Sequence, residues 1–330
     1  MRHICRYLKL SWYNIKMLKY NIFLIITGIM FLSCTTIRDN FLQNLREKED
    51  GHHHRILSAR ILPENITAIL DIPYTDSGHK GHLLDIYYPD NMTGPFPVVV
   101  NIHGGGFIYE NKENVKQYCY NIAKNGFIVF NINYRLVTDG VKVPGQIPDV
   151  INALNWIANN MFRYPANKEK VYLIGHSAGG FLAAMASLVI ESERLQEIFK
   201  TEKPNIKINA LAVNCSFFEM ARKSIKWWGM RWAIYEKGYK KQEYFKNLIL
   251  KNLPEVTLFP PVFVISNADD NLNFMSFYLV DILKENNLEH QFFFLENEAR
   301  KLRHCFDVFN PDREESKKIR DEMLRYFLKW

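Results

Sequence analysis

From Ile66 onward, short apolar runs alternate with helix-length stretches, and this alternation limits the possible folds more than any other feature of the chain. Such a pattern is typical of a mostly parallel sheet with helices on both faces. The sequence therefore predicts an α/β fold with an eight-stranded, mostly parallel sheet. Its predicted strands are Ile66–Tyr74, His82–Tyr88, Pro97–His103, Phe127–Tyr134, Val171–Ile174, Ala210–Asn214, Val262–Ser266 and Gln291–Leu295.

The connections between these runs predict how the strands pair. A turn-rich segment, Thr75–Gly81, joins the first two and favours an antiparallel opening hairpin. Later strands are separated by helical segments such as Val115–Lys124 and Ile147–Asn160, which favour parallel pairing. The third and fifth runs are apolar on both faces, so we expect them at the centre of the sheet.

One long segment, Phe217–Pro260, interrupts the alternation where a single crossover helix would suffice. It contains Trp227, Trp228 and Trp232 together with an excess of basic residues, which suits a lid over a binding cleft. Equally, these tryptophans could pin an extra helix pair to the body. Residues 66–330 are predicted to form one catalytic domain with this lid insertion at about 217–260.

The amino-terminal region holds an apolar run, Ile22–Leu32, after lysines and before Ser33-Cys34. The run is shorter than the roughly 20 residues that span a bilayer, but it matches a signal-peptide core. We expect residues 1–33 to be a signal peptide, with translation starting at Met1 or Met17, and Cys34 to be lipidated at the cell envelope. Residues 34–65 would form a tether or an early helix. For the apolar run, the alternatives are an uncleaved amino-terminal anchor and a buried globular helix, and the protein could also be secreted.

Charge and cysteine spacing exclude several classes of function. The formal net charge is +7, but the first 33 residues carry five basic residues and no acidic one, so the body is nearly neutral. This balance argues against a nucleic-acid partner. The five cysteines are scattered without zinc-site spacing, and His52–His54 read as solvated loop. We therefore expect no metal and no cofactor.

The pentapeptide Gly175-His176-Ser177-Ala178-Gly179 follows the fifth predicted strand and precedes a helix-like stretch, Phe181–Ile190. This is the setting of a nucleophilic serine on a sharp turn from strand to helix, where glycines avoid collisions. Ser177 is therefore predicted to be a nucleophile. The alternative is a glycine-rich turn that closes a strand.

About seventy residues earlier, the third predicted strand ends in His103-Gly104-Gly105-Gly106. A glycine loop lets backbone N–H groups approach the oxyanion of acyl transfer without interfering side chains. Gly104, Gly105, Gly106 and Ala178 are predicted to supply these donors. His103 is expected to anchor the loop rather than act as a base, and the loop lacks the lysine of a phosphate-binding loop.

A serine hydroxyl needs an imidazole to take its proton and a carboxylate to orient that imidazole, in the chain order Ser, acid, His. His290 enters a predicted strand, whereas His304 lies in a loop before the last helix, so His304 is the predicted base. Asp269 and Asp270 both follow the seventh strand, and this reasoning does not separate them.

Several motifs together resemble the alpha/beta-hydrolase carboxylesterases related to hormone-sensitive lipase and to small acetyl and feruloyl esterases. The resemblance covers about Leu83 to Trp330. It is carried by Leu84–Pro89, His103–Phe107, Asn133–Leu136, Pro148-Asp149, Gly175–Gly180, Pro260–Ile265 and His304–Phe306.

The resemblance implies an alpha/beta-hydrolase fold and, through the Asp-x-Leu pattern ending at Leu272, Asp270 as the acid. His176 stands where lipase-like members often have aspartate, and this difference favours the small-ester branch of the family. The expected function is serine carboxylesterase activity on short-chain, acetyl-type esters, free or linked to polysaccharide. Alternatives are an amidase, peptidase or arylformamidase-like hydrolase of the same fold, and a catalytically silent binding protein.

Overall fold

The computed structural model describes residues 40, 42–44, 47, 64–218, 231, 233–296 and 302–330. The chain divides into two compact units, Met1–Glu47 and Lys48–Trp330. In the first unit, the described residues are helical. The predicted signal peptide, Cys34 and nearly all of the predicted tether lie outside the described residues. Of the helices that the structure does describe, none has the length and apolar character to cross a membrane.

The second unit is built on one eight-stranded sheet, as the alternation predicts. Along the sheet the strands lie in the order β1-β2-β4-β3-β5-β6-β7-β8. Their bounds are β1 Ile66–Pro73, β2 Leu83–Pro89, β3 Phe96–Ile102, β4 Ile128–Ile132, β5 Ala166–His176, β6 Ala210–Asn214, β7 Val262–Asn267 and β8 His290–Leu295.

Pairing within the sheet confirms the predicted opening hairpin, because β1 and β2 are antiparallel. Strand β2 also pairs antiparallel with β4, and all the pairings from β4 to β8 are parallel. The central position predicted for β3 and β5 is confirmed. Residues Val98–Val100 and Val171–Leu173 are fully buried, as expected for strands that are covered on both faces.

Helices cover both faces of this sheet. They are α1 Lys116–Ala123, α2 Val143–Asn160, α3 Ala178–Glu191, α4 Glu193–Phe199, α5 Glu243–Lys246, α6 Asn273–Glu285, α7 Phe306–Phe309 and α8 Glu314–Phe327. On one face, α1 and α8 share an apolar core with side chains such as Val99, Tyr172 and Phe263. On the other face, α3 packs on β5 and β6 and is buried along nearly its whole length. This burial fixes the position of the turn that precedes α3.

Helix α2 begins at Val143, four residues before the predicted start. Pro144 lies in the first turn, where a backbone N–H has no helical partner, so proline is tolerated there. Within the helix, the fully buried Asp149 accepts hydrogen bonds from the backbone N–H and the guanidinium of Arg135, at 3.0 and 2.6 Å. This ion pair ties the segment after β4 to the body.

The insertion at 217–260 is described at its beginning and over its second half. That half contains α5 and a packed aromatic group of Tyr235, Tyr239 and Phe245. Lys142 donates to the carbonyl of Ala233 at 3.0 Å, which joins the insertion to the start of α2. The three tryptophans on which the lid prediction rests lie outside the described residues, so the lid stays a prediction.

Candidate active site

Ser177 occupies the turn between β5 and α3 with φ 52° and ψ −120°. A positive φ is unfavourable for a residue with a side chain and persists only where the surroundings enforce it. The neighbouring glycines are part of that enforcement. A Cβ at Gly175 would overlap the carbonyl of Gly179, and a Cβ at Gly179 would overlap the carbonyl of His103. The local geometry is the strained strand-to-helix turn that the pentapeptide predicts.

Three side chains from distant parts of the chain meet at this turn. His304 Nε2 lies 2.9 Å from Ser177 Oγ, and His304 Nδ1 lies 3.0 Å from each carboxylate oxygen of Asp270. Serine and histidine are separated by 127 residues, and histidine and aspartate by 34. The structure therefore brings together the three residues predicted to form the Ser-His-Asp set. The arrangement can move a proton from the serine hydroxyl to the imidazole.

Electrostatics favour a charged imidazole at this position. Burial by itself would lower the pKa of His304, but hydrogen bonds of the ring to Asp270 and to Cys215, together with the charge of the Asp270 carboxylate, raise that pKa. Conversely, burial would raise the pKa of Asp270, and its contacts with His304 hold that pKa below the ordinary value. The carboxylate is fully shielded from solvent, whereas 36% of the imidazole is exposed. Asp270 thus lies where its carboxylate can stabilise a protonated imidazole.

The other aspartate and the other late histidine have different surroundings. Asp269 Oδ2 accepts a hydrogen bond from the backbone N–H of Leu302 at 2.7 Å. Asp269 therefore holds the loop that carries His304. His290 stands at the start of β8 with Nδ1 2.8 Å from the carbonyl of Leu288. Neither is part of the cluster at Ser177.

The glycine loop after β3 supplies backbone donors, with one correction to the prediction. Gly105 and Gly106 have φ of 80° and 58°, and Ala178 is the first residue of α3. Within the described part of the chain, the N–H groups of these three residues have no acceptor, so they are available to an oxyanion. The N–H of Gly104 instead donates to Glu110 Oε2 at 3.1 Å. Gly104 therefore leaves the predicted set of donors.

Glu110 and His176 form a buried pair beneath this loop that the sequence analysis did not find. His176 Nε2 lies 3.0 Å from Glu110 Oε2 and 3.0 Å from the backbone nitrogen of Gly104. With the ring proton on Nε2, both that proton and the Gly104 N–H can point to the carboxylate. Only 5% of Glu110 and 1% of His176 are exposed. The one signal in the sequence is His176 itself, at a position where aspartate is common.

The carbonyl groups of the same loop are also held by buried side chains. Tyr134 Oη donates to the carbonyls of His103 and Gly104 at 3.0 and 2.7 Å. The tyrosine ring stacks on His103 with 4.3 Å between ring centroids, so His103 has the anchoring position expected of it. Gln146 Nε2, from α2, donates to the carbonyl of Phe107 at 3.0 Å. The loop is therefore fixed by partners from β5, from α2 and from the segment that follows β4.

Two buried thiols adjoin the three-residue cluster. Cys215 follows β6 directly, and Cys305 follows His304. Their sulfur atoms and a ring nitrogen of His304 all lie within 4.8 Å of one another. This is the group of described residues that could hold a metal ion. Its two cysteines, Cys215 and Cys305, lie 90 residues apart in sequence, so cysteine spacing gave no sign of the group.

Comparisons with known proteins agree on the kind of fold and family. Residues 84–271 match the BD-FAE family. A probable carboxylic ester hydrolase, LipM of Mycobacterium tuberculosis, is 29% identical over 210 residues, which cover 61% of this chain and 48% of that protein. The versiconal hemiacetal acetate esterase of Dothistroma septosporum is 31% identical over 124 residues, covering 37% of this chain and 38% of the relative.

A solved structure, esterase B from Lactobacillus rhamnosis, superimposes with a TM-score of 0.80 at 25% identity, covering 87% of this chain and 93% of that one. The chain spans at most about half the length of the two curated relatives. The predicted alpha/beta-hydrolase fold is confirmed. The match over residues 84–271 takes in more than half of the chain, which therefore belongs to the BD-FAE family.

Proposed function

We propose that this protein is a serine carboxylesterase that hydrolyses short-chain carboxylic esters through an acyl-enzyme intermediate. The observation that carries the proposal is the continuous hydrogen-bonded line from Ser177 Oγ through His304 to Asp270, with distances of 2.9 and 3.0 Å. A hydroxyl in contact with an imidazole whose other nitrogen faces a carboxylate is the arrangement that makes serine nucleophilic.

In the acylation step, Ser177 Oγ attacks the ester carbonyl carbon while its proton passes to His304 Nε2. The charge that develops on the carbonyl oxygen is stabilised by the N–H groups of Gly105, Gly106 and Ala178. The start of α3 adds the positive end of a helix dipole at the same place. His304 then gives the proton to the leaving alcohol, which departs as the tetrahedral intermediate collapses.

In the deacylation step, His304 removes a proton from water, and the resulting hydroxide attacks the acyl carbon on Ser177. The same backbone donors stabilise the second tetrahedral intermediate. When it collapses, the proton returns from His304 to Ser177 and the carboxylic acid leaves. The two steps balance, because the proton that His304 takes from Ser177 goes to the leaving alcohol and the proton it takes from water goes to Ser177.

The surroundings of the serine support a small acyl group. The N–H of Phe217 donates to the carbonyl of Ser177 at 3.2 Å, so this bulky residue begins the insertion beside the nucleophile. The ring of Phe217 contacts Phe107 of the glycine loop edge to face, with 6.0 Å between centroids. We infer that rings placed this close to the nucleophile favour acetyl-type esters over long acyl chains. That one relative is an acetate esterase agrees with this choice.

Substitution of Ser177 by alanine tests the mechanism. Turnover of p-nitrophenyl acetate is expected to fall by about 10⁴-fold or more, because the variant has no nucleophile. A fluorophosphonate probe is expected to label the wild type at Ser177 and to leave Ser177→Ala unlabelled. Labelling at another residue, or activity that survives the substitution, would reject the assignment. Esters of graded acyl length, with acetylated xylan alongside, would then define the substrate.

Two rival functions give different results in the same assays. An amidase, a peptidase or an arylformamidase-like enzyme would label at Ser177 but would cleave amide or formamide substrates faster than matched esters. A silent binding protein would turn over none of these substrates and would not react with the probe. The hydrogen bond between Ser177 and His304 favours an active enzyme over the silent protein.

We also propose attachment to the cell envelope through Cys34, on the basis of the apolar run Ile22–Leu32 and the serine before that cysteine. In a bacterial host, metabolic labelling with an alkyne fatty acid is expected to mark the wild type. Cys34→Ser should lose the label and leave the membrane fraction. Label retained by Cys34→Ser would contradict lipidation at this residue, and Cys119→Ser is the matched control, because Cys119 is buried in α1.

A further inference from the structure

Two thiols and one imidazole converge at the base of the candidate active site. Cys215 Sγ, Cys305 Sγ and a ring nitrogen of His304 lie within 4.8 Å of one another. Both cysteines are unpaired and buried, with 1% and 0% of their surface exposed. The proposed mechanism needs the imidazole but neither sulfur. The pair of thiols therefore calls for a separate chemical explanation.

The backbone holds both thiols in place. Cys215 and Cys305 have φ of 48° and 49°, in the left-handed region that side chains rarely adopt. The N–H of Cys215 donates to the carbonyl of Ile265 at 2.9 Å, and Asn267 Nδ2 lies 3.9 Å from its sulfur. The sulfur of Cys305 lies 3.8 Å from the carbonyl of Asn214. Both cysteine side chains are thus positioned before any ligand arrives.

A set of two sulfurs and one imidazole nitrogen matches the preference of Zn²⁺ and of softer divalent ions such as Cd²⁺. Zinc binds sulfur at about 2.3 Å and imidazole nitrogen at about 2.0–2.1 Å, so two of its ligands in tetrahedral coordination lie about 3.5–3.8 Å apart. The observed limit of 4.8 Å exceeds this spacing by about 1 Å. Small side-chain rotations would bring all three atoms to one ion.

We propose that Cys215, Cys305 and His304 form an inhibitory site for one thiophilic divalent cation. The ion enters along the imidazole, 36% of which is exposed, and binding releases the two thiol protons to solvent. The two thiolates then balance the charge of the ion. Coordination through Nε2 breaks the hydrogen bond between the imidazole and Ser177, and coordination through Nδ1 breaks the one between the imidazole and Asp270. In either case the triad is broken, so the inhibitory part of this inference rests on the proposed function.

Cd²⁺ added to the full chain tests the site without reference to activity. The protein is stripped with a chelator, kept reduced with a phosphine, and titrated while the ultraviolet thiolate-to-cadmium charge-transfer band is recorded. Equilibrium dialysis gives the stoichiometry. We expect one Cd²⁺ per chain with a thiolate band, and a loss of affinity of at least about 100-fold in Cys215→Ser and in Cys305→Ser. Alanine variants at both positions, checked by thermal unfolding, replace any serine variant that does not fold.

Two matched variants remove the other sources of binding. Cys5→Ser, Cys34→Ser and Cys119→Ser together take away the thiols outside the cluster, and His52→Ala, His53→Ala and His54→Ala together take away the adjacent histidines. Both variants are expected to keep the charge-transfer band and the affinity for Cd²⁺. The site is rejected if the band survives in the Cys215 and Cys305 variants, or if it disappears only with the histidines.

Esterase activity is measured in parallel with Zn²⁺, each variant against its own metal-free rate. We expect Zn²⁺ to inhibit the wild type at least about tenfold, because metal binding to His304 breaks the triad, and to spare Cys215→Ser and Cys305→Ser. Binding without inhibition would overturn the inhibitory role. Absence of esterase activity in the metal-free wild type would instead refute the proposed function, and the cadmium titration would still decide the site.

Discussion

The serine turn and the glycine loop face the same reaction space, yet the protein holds them by different means. Ser177 is constrained by backbone contacts, because Gly175 and Gly179 lie too close to neighbouring carbonyls to carry a side chain. The glycine loop is constrained by side chains, with Glu110 and Tyr134 bonded to its peptide groups. A turn fixed by close backbone contact can be recognised as a short motif. The glycines of the loop also form a short motif, but the distant side chains that fix the loop do not.

The largest effect is expected at Asp270, which orients the imidazole that serves the serine turn. Asp270→Asn should lower kcat by about 10⁴-fold, the size of the corresponding loss in serine proteases. Because the Asp270 carboxylate raises the pKa of His304, its removal lowers that pKa. His304 must be neutral to act as a base, so the acid limb of kcat/KM should move to lower pH.

Asp269→Asn is the matched control, since it keeps an oxygen for the N–H of Leu302. It should leave the pH profile in place and cost much less activity. A pH profile unchanged in Asp270→Asn, with a shifted profile in Asp269→Asn, would mean that the neighbouring aspartate orients the imidazole.

The next effect concerns the backbone-constrained turn. Gly179→Ala should lower kcat by about 100-fold or more, because its Cβ would push the turn away from the carbonyl of His103 and misplace Ser177. Overpacking of this kind also costs about 1–3 kcal/mol of stability. Kinetics and thermal unfolding would measure both. In Gly145→Ala, the new Cβ meets only the flexible end of Val141, so the loss there should be small.

The smallest of these effects is expected in the side-chain-held loop. Glu110→Ala should lower kcat by about 10-fold to 100-fold with little change in KM, because the backbone donors act on the transition state more than on bound substrate. Glu110→Gln keeps an acceptor for the Gly104 N–H and should recover part of the loss.

Glu169, whose side chain is 79% exposed, provides the control Glu169→Ala, which should match the wild type. A rise in KM with unchanged kcat in Glu110→Ala would show that the loop binds substrate rather than stabilising the transition state.

Much of the fold could be predicted because it depends on local patterns. Apolar runs of strand length marked all eight strands, and the turn-rich segment before Leu83 marked the antiparallel hairpin. The order of strands was not predicted, since β4 lies between β2 and β3 and sequence order does not reveal that crossover. The early start of α2 was missed because Pro144, in the first turn of the helix, looks like a helix breaker in the sequence.

The candidate site divides in the same way. Ser177 and His304 could be selected from short motifs and chain order, and Asp270 was separated from Asp269 by resemblance to known esterases. The role of Glu110 depends on contact with His176, 66 residues away, and the thiol cluster depends on a loop folding back over 90 residues. No periodicity or spacing encodes such contacts. Only the folded chain brings these groups together.

The order of the strands sets how far the imidazole has to reach. His304 follows β8 at the edge of the sheet, while Ser177 follows β5, and β6 and β7 lie between them. Three steps of about 4.8 Å each amount to roughly 14 Å across the sheet. Asp269 and Asp270 follow β7, the strand next to β8, and they bond to the loop and to the imidazole that cross the sheet. Loosening β8 from β7 would therefore disconnect the imidazole from the serine without touching either residue.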